Sequence, residues 1–155
     1  MDTARELDTA DRYLNSKTVK YYLRANNVAR AEDLAGMFTR QEKATDPIGQ
    51  LSEMQCMWFE TEEALAFLRT GAVGKALKKL HSINGHFVQV VDDQFDFHSY
   101  TFRKSTLRAY IRLLRLEDRL YGHNYYVRAA LIAIDTYVGL YDVPFSAASA
   151  NTTVC

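Results

Sequence analysis

Cysteine, proline and glycine are all scarce in this chain: two, two and seven among 155 residues. Cys56 sits in an apolar run and Cys155 is the last residue, so neither a disulfide framework nor a paired metal-ligand spacing exists. A reducing compartment fits best. Charge of either sign is not in excess, because 19 Lys and Arg face 19 Asp and Glu and the pI is near 6.9. A dedicated nucleic-acid binder normally carries a clear basic surplus, so composition disfavours that class and leaves only local basic stripes open. No apolar run approaches the roughly 18 residues of a membrane span, and the first residues, MDTARELDTADRY, are acidic and polar, unlike a secretion signal. What remains is an ordinary globular balance, 48% apolar and 25% charged, enough for one domain with its own core. Enzymes, adaptors and repeat scaffolds share these totals, so function has to come from arrangement.

With so few helix breakers, long segments carry apolar residues three and four apart, and the chain reads as all-α. A first helix is predicted from about Thr9 to Arg24, capped by Asp8 or Thr9, and a second from Val28 to Phe38 after a break at Asn26 and Asn27. Thr39 to Ser52, with Pro47 and Gly49, is the best loop. Ser52 and Gln55 match a capping box, which starts a helix running through Leu68 to a stop at Gly71. Val73 to Phe87 then forms its partner. An acidic turn, Val91 to Asp96, leads into a long helix from His98 to Leu120, and Gly122 to Asn124 separates it from a last helix, Tyr125 to Tyr141. Residues 1–145 are thus expected to form about three helical hairpins, and residues 146–155, small and uncharged, a disordered tail.

Hairpins in series call for a test of internal repeats. A tetratricopeptide unit places a bulky residue nine before a small one, with a Gly-like turn between. Phe67, Gly71 and Ala76 keep that spacing, and so do Tyr22, Asn26 and Ala31, Asn being the usual substitute for Gly in a left-handed turn. The third hairpin does not keep it. Stacked hairpins of this kind form part of an α-solenoid, and three of them look like a slice of a longer one.

Catalytic and metal constellations are weak. His81 and His86 fall on different helix faces, and Cys56 has no ligand-spaced partner. Asp92, Asp93, Asp96 and His98 look like an acid–imidazole cluster, yet the calcium-loop spacing is absent and the acids suit a helix amino terminus. Gly71 to Lys75 resembles the end of a phosphate loop, but it lacks the upstream Gly and follows a helix. No catalytic residue and no metal ligand is assigned. Two basic stripes stand out. Lys17, Lys20 and Arg24 lie at i, i+3 and i+7, with Arg40 ending the following helix, and they form either a solvated face or a cradle for a polyanion. Lys104, Arg108, Arg112, Arg115 and Arg119 line the long helix and suit an acidic partner, RNA phosphate, or acids on a neighbouring hairpin.

The segments EMQCMWFETE (53–62), GKALKKLHSINGHF (74–87), DDQFDFHSYTFRKSTLRAYIRLLRLED (92–118) and YYVRAALIAIDTYVGLYDVP (125–144), with ELDTADRYLNSKTVKYYLRAN (6–26) upstream, resemble the auxiliary subunit family of the N-terminal acetyltransferase A (NatA) complex. The resemblance implies a central fragment of a longer tetratricopeptide scaffold. That scaffold is not itself an enzyme; it binds the catalytic acetyltransferase subunit and works in the cytoplasm at the ribosome. It also implies inositol hexakisphosphate between the two subunits, with Lys17, Lys20, Arg24 and Arg40 the candidates by position. The acetyl-CoA pyrophosphate loop of the catalytic fold, Gln or Arg followed at fixed spacing by Gly-x-Gly or Gly-x-Ala, does not occur in the chain. A generic peptide-binding tetratricopeptide adaptor and a small helical enzyme using Cys56 or the Asp92 to His98 cluster are the alternatives.

Overall fold

The computed structural model describes residues 1–39 and 47–143. All regular structure among them is helical: α1 (Asp2–Leu7), α2 (Arg12–Arg24), α3 (Val28–Gly36), α4 (Pro47–Glu53), α5 (Met57–Arg69), α6 (Val73–Asp92), α7 (Gln94–Lys104), α8 (Leu107–Glu117) and α9 (Asn124–Asp142), with a 3-10 turn at Leu120–Gly122. Two hairpins, α2 with α3 and α5 with α6, stack side by side; α1 lies on α2, and α9 packs on α6 and α5. The expected all-α, solenoid-like architecture is what the chain adopts.

Both hairpin turns close in the same way. Asn26 and Gly71 take left-handed φ values of 62° and 78°. The next amide then bonds five residues back, Asn27 N to Tyr22 O at 2.9 Å and Ala72 N to Phe67 O at 2.8 Å. This is a Schellman termination, in which the left-handed residue lets two otherwise orphaned carbonyls find donors. A third copy ends α4, where Gln55 has φ 54° and Cys56 N reaches Leu51 O at 2.9 Å. The small residues foreseen after the turns, Ala31 and Ala76, are fully buried. Arg69 joins one hairpin to the next, donating from Nε to Asn26 Oδ1 and from Nη2 to Leu23 O, each at 2.7 Å. Gly71→Ala keeps the space but not the conformational freedom. It is expected to cost about 1–2 kcal/mol, the penalty of left-handed backbone, read as a lower urea midpoint.

Two apolar clusters flank α5. Val19, Leu23, Ala31, Leu34 and Phe59 fill one, and Ala76, Leu80, Ile83, Phe87 and Ala129 fill the other. Burying a large apolar side chain contributes roughly 1.5–3 kcal/mol, so these layers carry most of the folding drive. Because neighbours surround α5, its polar run is buried too: Glu60, Thr61, Glu62 and Glu63 are all within 3% of full burial. Such residues are seldom hidden unless paired.

Several boundaries differ from the sequence reading. α1 was not foreseen, and the cap of α2 is Asp11, whose carboxylate accepts from Tyr13 N and Leu14 N at 2.7 and 3.1 Å. Thr39 to Ser52 is not wholly loop, because α4 begins at Pro47, whose fixed φ suits the first helical position. Ser52 and Gln55 are not a capping box: the Ser52 hydroxyl bonds Glu60 at 2.8 Å, and α5 starts at Met57. The acidic turn shrinks to Asp93, since α6 continues to Asp92. The predicted long helix from His98 to Leu120 is two helices. Ser105 and Thr106 are extended, and the Thr106 hydroxyl caps α8 by accepting from Ala109 N at 3.3 Å. The third hairpin therefore does not form as expected; α9 packs on α6, and α7 and α8 pair with each other. Residues 146–155 and Arg40 lie outside the described residues.

Candidate functional site

Three cations converge on one buried carboxylate. α2 presents Lys20 and Arg24 one turn apart, and α5 turns Glu62 toward them with its side chain only 4% exposed. Lys20 Nζ stands 3.4 Å from Glu62 Oε1, and Arg24 Nε stands 3.5 Å from Oε2. Arg128 of α9 completes the group, with Nη2 at 3.7 Å from Oε1. The three cations remain from about one third to just over one half exposed, so their charge is open to solvent while the acid's is not. One carboxylate balances only one of them, which leaves a local surplus of positive charge at a partly desolvated place. Such a surface attracts a polyanion more strongly than an isolated exposed lysine does.

Lys17, the other member of this stripe, lies over the Tyr13 ring with its Nζ 5.3 Å from the centroid. The sequence spacing located Lys17, Lys20 and Arg24 on one face. It did not reveal Glu62 or Arg128, because both come from distant segments, and no periodicity says which face of α5 or α9 meets α2.

The second stripe is broken up. Lys104 ends α7, Arg119 follows α8, and only Arg108, Arg112 and Arg115 share one helix. Glu117 does not answer them; it faces His98 Nε2 at 3.3 Å. That contact also accounts for His98, which the sequence grouped with Asp92, Asp93 and Asp96. Among the described residues, no three His, Cys, Asp or Glu side chains are placed to share a metal ion. Cys56 is half-buried at the start of α5, and burial pushes its thiol up, away from a reactive thiolate.

Elsewhere α5 carries two further polar centres. Glu60 receives Ser52 and Ser82 hydroxyls on Oε1, both at 2.8 Å, and His86 Nε2 on Oε2 at 2.9 Å. Among the described residues His86 hydrogen-bonds neither serine, so these three side chains do not form a nucleophile–base pair. Glu63 meets Lys79 Nζ at 2.9 Å, beside a cavity of about 500 Å³ that Glu32, Lys75 and Lys78 also line. Burial raises the Glu63 carboxyl to about 7, nearby Glu32 adds to the rise, and Lys79 opposes it.

Comparison with known proteins fits this frame. The family described as "N-terminal acetyltransferase A, auxiliary subunit" matches residues 1–154. The chain is 53% identical over 146 residues to N-alpha-acetyltransferase 16, NatA auxiliary subunit, of Mus musculus, covering 94% of this chain and 17% of that protein. It is 44% identical over 147 residues to the N-terminal acetyltransferase A complex auxiliary subunit NAA15 of Arabidopsis thaliana, covering 95% and 16%. Among solved structures, Naa15/Naa10 bound to HypK-THB aligns with a TM-score of 0.85 and 48% identity, over 92% of this chain and 22% of the matched one. The chain thus spans about a sixth of the length of these curated relatives. No helix among the described residues is long and apolar enough to cross a membrane. The stacked hairpins, their repeated turns and the match along nearly the whole sequence lead to one conclusion: the chain belongs to the family of NatA auxiliary subunits.

Proposed function

We propose that this chain is a segment of a non-catalytic scaffold that holds the NatA catalytic subunit, in a complex acting in the cytoplasm beside the ribosome during synthesis. The observation that carries this reading is the solenoid-like stack shared with Naa15, a protein solved in complex with Naa10. A stack of hairpins presents a long continuous surface, the geometry of a scaffold rather than of a closed catalytic pocket. The same proposal assigns Lys17, Lys20, Arg24 and Arg40 to an inositol hexakisphosphate site where the subunits meet, with Arg128 staying on Glu62. Its support is the surplus cation charge around Glu62.

Size-exclusion chromatography of the chain with the catalytic subunit tests both parts. Co-elution is expected, strengthened by inositol hexakisphosphate. The Lys20→Glu/Arg24→Glu double variant should lose that strengthening, because it replaces two cations by two anions around an acid already present. Separate elution with and without the polyanion would sink the contact. Acetylation of amino-terminal peptides by the chain alone would sink the scaffold reading.

A further inference from the structure

α8 is the most lopsided helix of the fold and has no buried residue. Its seam with α7 is made by Tyr110, whose ring meets His98 and Phe102 edge-on at 5.8 and 6.4 Å, and by Glu117, held by His98. The rest of the helix is open. Arg108, Arg112 and Arg115 fall at i, i+4 and i+7 and share a face. Leu107 and Ile111, 74% and 39% exposed, form an apolar strip between these guanidinium groups and the seam. Together the five residues line an open depression of about 400 Å³.

None of these three arginines has an ion-pair partner among the described residues. That sets them apart from Lys20, Arg24, Lys79 and Arg128, which all meet carboxylates on α5. The chain as a whole is neutral, so this is a local concentration of unanswered charge. The alternative that neighbouring hairpins supply the acids is not realised among the described residues.

We propose that the open face of α8 docks an acidic amphipathic peptide segment of a partner protein, with carboxylates on Arg108, Arg112 and Arg115 and an apolar side chain over Leu107 and Ile111. The guanidinium fork matches a carboxylate in two parallel hydrogen bonds, which gives orientation as well as attraction. The apolar strip selects a peptide over nucleic acid. A phosphate backbone has no group to lay on Leu107 and Ile111. Tyr110, the one aromatic residue of α8, is engaged in the α7 seam, so α8 itself offers no free ring on which bases could stack.

The test is fluorescence anisotropy of the chain with three labelled probes: a Glu/Leu helical peptide, the same peptide with Leu replaced by Gln, and single-stranded RNA of equal charge. The Glu/Leu peptide should bind saturably and more weakly as salt rises. The Arg112→Glu/Arg115→Glu variant should lose about tenfold or more in affinity, with its circular dichroism unchanged. Ile111→Ser should weaken the Glu/Leu peptide several-fold and leave the Gln peptide and the RNA unaffected. RNA binding as tight as the Glu/Leu peptide, or an Ile111→Ser variant with full peptide affinity, would overturn the proposal. So would absence of peptide binding by a chain that is folded.

Discussion

Replacing Glu60 by alanine is expected to destabilise the chain by about 3 kcal/mol or more, because it removes the acceptor at the centre of a buried hydrogen-bonded network. The residue is 1% exposed and satisfies three groups from two other helices: Ser52 of α4 and Ser82 and His86 of α6. Alanine leaves buried His86 without its acceptor, while the half-buried Ser52 and Ser82 keep only their mutual contact at 2.9 Å; an unsatisfied buried polar group costs about 1–3 kcal/mol before the lost packing is counted. Glu60→Gln separates geometry from charge. Its amide oxygen still accepts from the serines and its NH₂ still reaches the ring nitrogen, so the loss should be smaller, about 1–2 kcal/mol. Urea denaturation followed by far-ultraviolet circular dichroism measures both. Equal losses for the two variants would show that the network's charge, rather than its hydrogen bonds, holds α4 and α6 to α5.

Glu63 should make stability fall as pH rises through neutrality. Its folded-state carboxyl is raised to about 7 from an ordinary value of 4.5. An acid with a raised pKa binds its proton more tightly when folded. Its stabilising contribution is therefore complete below about pH 4.5 and is lost as pH climbs through about 7. The difference corresponds to about 3 kcal/mol between mildly acidic and alkaline buffer. Glu63→Gln keeps the shape and removes the titration. The variant should match the parent near pH 5 and exceed it near pH 8, with Lys79, at 23% side-chain exposure, retaining access to water when its partner is neutral. Parallel urea profiles for the two proteins at both pH values would show that Lys79 keeps Glu63 ionised throughout.

Much of the architecture was legible in the sequence because local signals and packing agree there. Asn26 and Gly71 tolerate left-handed backbone, and Ala31 and Ala76 follow at the distance where a close helix approach needs a small side chain. Where local and long-range demands differ, the local signal misled. Ser52 carries the start of a capping pattern, yet its hydroxyl is taken by Glu60 from the next helix. Gln55 adopts a positive φ that its residue type does not announce. The break between α7 and α8 did leave a trace, since Thr106 is a good cap, but continuous apolar spacing on both sides hid it. The candidate site divides in the same way. Spacing along α2 aligned Lys17, Lys20 and Arg24, whereas no local signal marks Glu62 as the acid that α2 and α9 both reach. Nothing in the sequence of α9 alone points Arg128 at α5.

The position of Glu62 between two helices has a thermodynamic consequence. It takes Lys20 and Arg24 from one side and Arg128 from the other, so a single carboxylate enters two equilibria. An anion that draws Lys20 and Arg24 outward leaves Arg128 as the remaining countercharge, tightening the hold on α9. Linkage makes the effect mutual: whatever seats α9 more firmly on Glu62 releases the α2 cations for the anion at lower cost. Ligand occupancy on one hairpin and order in the helix beyond the next thus become two readings of the same charge.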